Sequence, residues 1–329
     1  MSAKIFIDGE AGTTGLQIRA RLEGRDDVDL IGLADADRKN TDQRRQMLNG
    51  CDIAILCLPD DAAREALTLI DNTNTRVIDA STAHRIVEGW VYGMPEMDAE
   101  QANQIAVATR VSNPGCYAIA SVGLLRPLVA GGLLPDDWAV TINAISGYSG
   151  GGKALITEFE NASAPNYTEA PYFVYGLGLD HKHVPEIEMW SGLHIRPLFV
   201  PSVGRFAQGM IVQVPLQLGA LPGSPSAAQL HAVLSDHYAG RRFVKVAPME
   251  VTSRLNRLEP EALNGTNELR LHVIVNEHYG QAILVAVLDN LGKGASGLAV
   301  QNLNIMLGLP EETGLEEKFS MPAIISGSS

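Results

Sequence analysis

The sequence predicts an α/β protein in two parts. A parallel sheet with flanking helices comes first, and an α+β region on a mixed or antiparallel sheet follows. Three observations predict this. In roughly the first third, short apolar runs alternate with helical stretches, as βαβ units require. A glycine-rich turn, Gly9-Glu10-Ala11-Gly12-Thr13-Thr14-Gly15, joins the first run to the first helical stretch. Further on, the apolar runs lengthen and helical patterns become scarce.

Taken in order, strands are expected at 4–8, 28–33, 53–58, 76–79 and 105–108, with helices at 14–22, 38–48 and 61–70. An apolar helix is expected from 118 to 129. Longer strands then read at 139–146, 194–201, 210–216, 268–276 and 279–288, and the clearest helix among them is 229–238. The last two strands are separated by Glu277-His278, the spacing of a hairpin. A closing helix is expected from 295 to 307, and the stretch after Pro310 reads as polar and loosely held.

Composition narrows the class. Apolar residues are 46% and charged residues 19%, which is ordinary for a globular chain, and 329 residues suffice for two domains. A net charge of −13 argues against nucleic acid and anionic membrane as partners. An anionic substrate would therefore need a local cluster of cations. Of the three cysteines, Cys51 and Cys57 flank one apolar run and read as core thiols, with no disulfide framework. The start of the chain leads into a strand without an apolar signal stretch, so a cytoplasmic location is expected.

The third cysteine carries the most information. Cys116 lies in Ser112-Asn113-Pro114-Gly115-Cys116-Tyr117, between a strand-like and a helix-like run. Asn113 suits a helix cap and Pro114 a first helical position. The thiol then sits in the first turn, where unpaired N–H groups and the helix dipole lower a thiol pKa and can hold an oxyanion. The plain alternative is a small buried hydrophobe.

The glycine turn has the position of a dinucleotide loop, although its spacing is GxxGxxG. Asp35, past the second strand, would favour NAD, whereas Arg38 and Lys39 could bind a 2′-phosphate. Ser146-Gly147-Tyr148-Ser149-Gly150-Gly151-Gly152-Lys153 is a second loop able to approach a cofactor. Asp180-His181-Lys182-His183-Val184-Pro185-Glu186 offers a general acid/base histidine oriented by Glu186. His-x-His spacing also suits a metal, but third and fourth ligands are not evident and none is expected. Arg85 and Arg110 are natural anion clamps.

Together GEAGTTG, DASTAHR, VYGMPE, SNPGCY, SGYSGGGK, DHKHVPEIE and DNLGKGASGLAVQN make the chain resemble the N-acetyl-γ-glutamyl-phosphate reductase family, in its shorter form. The resemblance runs from about residue 8 to residue 304. It implies a Rossmann-type NADP-binding domain, residues 1–115 with 290–329, and a catalytic and oligomerisation domain, residues 116–289. It implies NADP(H), a small acyl-phosphate substrate and a homo-oligomer, dimer or tetramer. Cys116 matches the family's nucleophile, and His181 and Glu186 its proton-transfer histidine and supporting acid, with His183 the alternative histidine. Ser81, Arg85, Arg110, Asn113 and His183 are expected at the substrate. Gly9, Gly12, Thr13, Thr14, Gly15, Arg38, Ser146, Gly147, Gly150, Asn290 and Lys293 are expected at the cofactor. Aspartate-semialdehyde dehydrogenase and a carrier-linked aminoadipyl-phosphate reductase run the same chemistry on other acids. A non-catalytic NAD(P)-sensing module is the alternative from another class, and it would need neither the thiol nor the histidine.

Overall fold

A computed structural model describes residues 2–315 and 318–319. Its first sheet is parallel throughout, in the order β2-β1-β3-β4-β6-β5. The strands are β1 (Ala3–Asp8), β2 (Val28–Ile31), β3 (Ile53–Leu56), β4 (Arg76–Asp79), β5 (Val91–Tyr92) and β6 (Arg110–Ser112). Helices α1 (Thr13–Leu22), α2 (Thr41–Gly50), α3 (Asp60–Thr68) and α4 (Gln101–Val107) connect them. The apolar strands are buried on both faces, as a helix-covered parallel sheet requires.

Helix α5 (Cys116–Ala130) leads to a second, mixed sheet of order β11-β12-β13-β10-β7-β9-β8. Its strands are β7 (Thr141–Gly147), β8 (Tyr172–Val174), β9 (Leu198–Gly204), β10 (Met210–Gln217), β11 (Val244–Val246), β12 (Leu269–Asn276) and β13 (Gln281–Leu288). Helices α6 (Gly152–Glu160), α7 (Val184–Ser191), α8 (Ala227–His237) and α9 (Met249–Thr252) lie between them. After β13 a π-helical turn, Gly292–Ser296, runs into α10 (Gly297–Met306). Ala299, Val300, Leu303 and Met306 of α10 share one apolar core with Ile5, Ile18 and Ile55, so the chain returns to its first sheet. Helix α5, apolar nearly all round, packs into the core of the second.

Two expectations need correction. Residues 105–107 are helical and Ala108 is the extended cap: Gln101, Ile105 and Ala108 turn inward while Val107 stays exposed. The strand expected there is instead β6, three residues long. The segment to residue 315 is not loose, because Leu315 is buried and Asn304 Nδ2 donates to the carbonyls of Glu311 and Thr313. The rest of the tail lies almost wholly outside the described residues. Among the described residues no helix is long and apolar enough to cross a membrane.

Candidate active site

Cys116 is the first residue of α5, as its motif predicts, but the cap is Gly115 and not Asn113. Asn113 fixes the approach to the helix instead. Its Nδ2 donates to Ala295 O at 3.1 Å, and its Oδ1 accepts from Asn302 Nδ2 at 3.1 Å. Its own N–H donates to Asp79 O at 2.7 Å. The nucleophile's loop is thus tied to the end of β4 and to the returning C-terminal segment. A side-chain carbon at Gly294 would stand 2.8 Å from Cys116 Cβ, so the π-helical turn lies directly on the cysteine.

Glu186 is held in the first turn of α7, behind Pro185, and is 2% exposed. Its Oε1 accepts from the Gly115 N–H and from Tyr92 OH, both at 2.9 Å, and its Oε2 from Arg85 Nη1 at 3.1 Å. Glu186 therefore orients the start of the cysteine helix and Arg85, where the sequence suggested that it orients a histidine. Arg85 also donates to Asn113 O and Ala80 O. A side-chain carbon at Gly115 would come within 2.5 Å of both Arg85 Nη1 and His183 Nε2, which only glycine avoids.

The two histidines pack edge to face, 4.8 Å apart. His181 Nδ1 accepts from the His183 N–H at 3.1 Å, and its Nε2 lies 3.4 Å from Tyr175 OH. Burial first, then Lys182, pushes His181 down to about 4. Burial, with Arg85 as the next cause, holds His183 well below the usual imidazole range, and its buried Nδ1 has no hydrogen-bond partner. Both rings are therefore neutral at pH 7. Burial pushes the Cys116 thiol up to about 11, against the pull of Arg85, the Tyr117 N–H and Lys182. Desolvation outweighs the helix start, the reverse of what the motif alone suggested.

These groups line one cavity of about 860 Å³. Gly12, Thr13 and Thr14 of the first loop, Ser146, Gly147 and Gly150 of the second, and Asn290 form its other walls. Gly9, at φ +87°, lets the first loop fold tightly on the end of β3, where a side chain would strike Cys57 O. A side chain at Gly15 would strike the backbone of Glu10 and Gly9, so both glycines let the turn close. The turn presents Gly12, Thr13 and Thr14 to the cavity at the start of α1, where the cradle fits a dinucleotide. Beside it, Glu10, Arg19, Asp35 and Arg38 line a depression of about 450 Å³ at the carboxyl end of β2. Asp35 pairs with Arg38 at 2.7 Å, and α2 is capped by Asn40, so Asp35 serves as no helix cap.

Three expected residues lie elsewhere. Arg110 begins β6, at the opposite end of the strand from the cavity, and donates to the carbonyls of Thr75 and Thr109. Ser81 is buried, with its hydroxyl on Asp79 Oδ2 at 2.7 Å. Lys293 is fully buried, and its Nζ bonds Glu96 Oε1 and Gln301 Oε1, both at 2.7 Å. Spacing alone cannot show which end of a strand a side chain serves, nor that a cation pairs inward. Tyr92, Tyr117, Tyr175 and Asn302 complete the site and were not singled out. Tyr92, Tyr117 and Asn302 lie within VYGMPE, SNPGCY and DNLGKGASGLAVQN, whereas Tyr175 lies in none of the motifs. Among the described residues no group of three or more His, Cys, Asp or Glu side chains is placed to hold a metal ion.

Two family models match: "Semialdehyde dehydrogenase, NAD binding domain" over residues 4–105 and "Semialdehyde dehydrogenase, dimerisation domain" over 116–290. They set the chain in the semialdehyde dehydrogenase class. Solved structures similar to it include aspartate semialdehyde dehydrogenase II of Vibrio cholerae complexed with ASA, at TM-score 0.69 and 16% identity, covering 94% of this chain and 99% of that one. The NADP-containing aspartate semialdehyde dehydrogenase of Candida albicans has TM-score 0.66 and 14% identity, covering 93% and 99%. Those two share the fold. N-acetyl-gamma-glutamyl-phosphate reductases of Brucella ovis and Brucella canis are each 55% identical over 94% of this chain and 100% of their own length. The chain belongs to the N-acetyl-γ-glutamyl-phosphate reductase family.

Proposed function

We propose that the protein reduces N-acetyl-γ-glutamyl phosphate to N-acetyl-glutamate 5-semialdehyde with NADPH, releasing phosphate, through a thioester on Cys116. The observation that carries this is Cys116 at the start of α5, in one cavity with the dinucleotide loop, His181 and His183. The 55% identity to reductases of that name supports the substrate.

The chemistry begins from a neutral thiol beside a neutral imidazole. His181 takes the thiol proton at Nε2, and the thiolate attacks the γ-carbonyl. The Gly115 N–H is engaged by Glu186, which leaves the first-turn N–H groups of Cys116 and Tyr117 to receive the oxyanion. Arg85 and Lys182 bring positive charge to the cavity for the phosphate. His181 passes its proton to the departing phosphate oxygen, and the C–O bond breaks as the thioester forms. NADPH, when bound, supplies the hydride that this thioester accepts. Gly12, Thr13, Thr14 and Gly15 would hold its pyrophosphate, and Arg38 its 2′-phosphate. His183 and Asn113 would face the substrate.

On this reading residues 1–115 with 290–329 are the NADP-binding domain, and 116–289 the catalytic and oligomerisation domain of a cytoplasmic homo-oligomer. The packing of α10 on the first sheet and the dimerisation-domain match support it. Purified protein with NADP⁺, phosphate and N-acetyl-glutamate semialdehyde should generate reduced-nicotinamide absorbance, and aspartate semialdehyde should give far less. The opposite ranking, or no signal with either aldehyde, overturns the assignment.

A further inference from the structure

The depression beside the glycine loop holds two cations and two carboxylates. Glu10 Oε2 accepts from Arg19 Nη1 at 2.8 Å, and Glu10 Oε1 from Arg38 Nη2 at 3.2 Å. The same Nη2 pairs with Asp35 Oδ1 at 2.7 Å. Formal charge in the depression is therefore balanced. The two acids differ in setting: the Glu10 side chain is 15% exposed, the Asp35 side chain 87%. Water and salt screen Asp35, while the charge of Glu10 is felt more fully inside. Arg38 Nε is buried and has no hydrogen-bond partner, so the guanidinium is held chiefly by its Nη2 on the two carboxylates. The site lies at the carboxyl end of β2 beside the loop, where an open parallel sheet receives an adenosine ribose.

We propose that Glu10 determines cofactor specificity: its carboxylate competes with the 2′-phosphate of NADP(H) for Arg19 and Arg38, and so sets how strongly NADP(H) is preferred over NAD(H). The inference rests on the NADP reading above. It adds Arg19 as the second cation, at the place where the sequence suggested Lys39. A 2′-phosphate entering the depression must draw both guanidinium groups from Glu10 and stand near its negative charge. An unphosphorylated ribose meets neither demand. Glu10 thereby lowers affinity for the phosphorylated cofactor alone.

The test is calorimetric titration of wild type, Glu10→Gln, Glu10→Asp and Arg38→Gln with NADP⁺, NAD⁺, 2′,5′-ADP and 5′-AMP, with no turnover required. Glu10→Gln should tighten NADP⁺ and 2′,5′-ADP about tenfold, the weight of one partly screened charge a few ångströms away. NAD⁺ and 5′-AMP should bind as in wild type. Glu10→Asp keeps the charge and should stay within about twofold of wild type by the same reasoning. Unchanged or weaker 2′,5′-ADP binding by Glu10→Gln overturns the competition. The underlying reading fails separately: in that case wild type prefers NAD⁺, or Arg38→Gln leaves 2′,5′-ADP binding unchanged.

Discussion

The backbone N–H of Gly115 donates to Glu186 Oε1 at 2.9 Å, joining the residue before the nucleophile to a carboxylate 71 positions away. The same carboxylate takes Arg85 on its other oxygen. One buried acid thus sets both the direction of the cysteine helix and the position of its nearest cation. Glu186→Gln should lower kcat while NADP⁺ binding persists. Glu186→Ala, which strands buried Arg85, should destabilise the fold by about 3–5 kcal/mol. Denaturant titration and kcat measured on the same preparations check both. An active, fully stable Ala variant would count against this role.

Cys116→Ser should abolish turnover and leave NADP⁺ affinity unchanged. An alkoxide is scarcely available at neutral pH, and an oxygen ester is a poorer hydride acceptor than a thioester. Steady-state assay beside cofactor titration separates the two effects. Substantial residual activity would exclude the covalent route.

The pH behaviour of the thiol follows from its burial. With the thiol pushed up to about 11, alkylation of Cys116 by iodoacetamide should keep rising with pH beyond the value near 8.5 of a free cysteine. A thiolate–imidazolium pair would instead give a plateau at neutral pH. Arg85→Gln removes a cation that favours the thiolate and should shift the profile further up. Rates across pH 6–11 on wild type and variant decide it, with Cys51 and Cys57 replaced to give a single reporter.

His181→Asn should lower kcat by on the order of 10²–10⁴, the usual weight of proton-transfer catalysis. His183→Asn should act chiefly on KM, because that ring borders Gly115 and Arg85. The reverse pattern would exchange their roles. Both rings bind protons more readily in the unfolded chain, since their folded values lie below the ordinary one. Stability should therefore fall as pH drops from about 6.5, the unfolded value, toward 4, and Tm measured over that range should show it.

Lys293→Met should destabilise the protein, because it leaves Glu96 buried without its partner. NADP⁺ affinity, measured on protein still folded, should not change. A selective loss of cofactor binding would restore the role that its motif suggested.

The parts of this fold that were legible in the sequence are those set by local periodicity. The βαβ alternation, the glycine turn after β1 and the cysteine at a helix start all depend on neighbours within a few residues. The strand expected at 105–108 failed because a four-residue apolar run fits either period, and the inward face of α4 was decided by packing. Roles that depend on distant partners were not legible. Glu186 meets Gly115 and not a histidine, Arg110 serves the far end of its strand, and Lys293 turns inward to Glu96. The thiol illustrates the same limit, since a helix start is a local signal whereas burial is a property of the completed core.

The contact of Gly294 with Cys116, and of Asn302 with Asn113, has a consequence for how the protein is made. During synthesis the first sheet and the cysteine loop emerge well before the segment that covers them, and domains generally fold in order of emergence. Until residues 294–302 arrive, the nucleophile lacks one wall and its loop lacks two anchors. The nascent chain is then expected to carry neither the completed core of the first sheet, which α10 closes, nor a working thiol, and catalytic competence comes as one of the last events of its biogenesis.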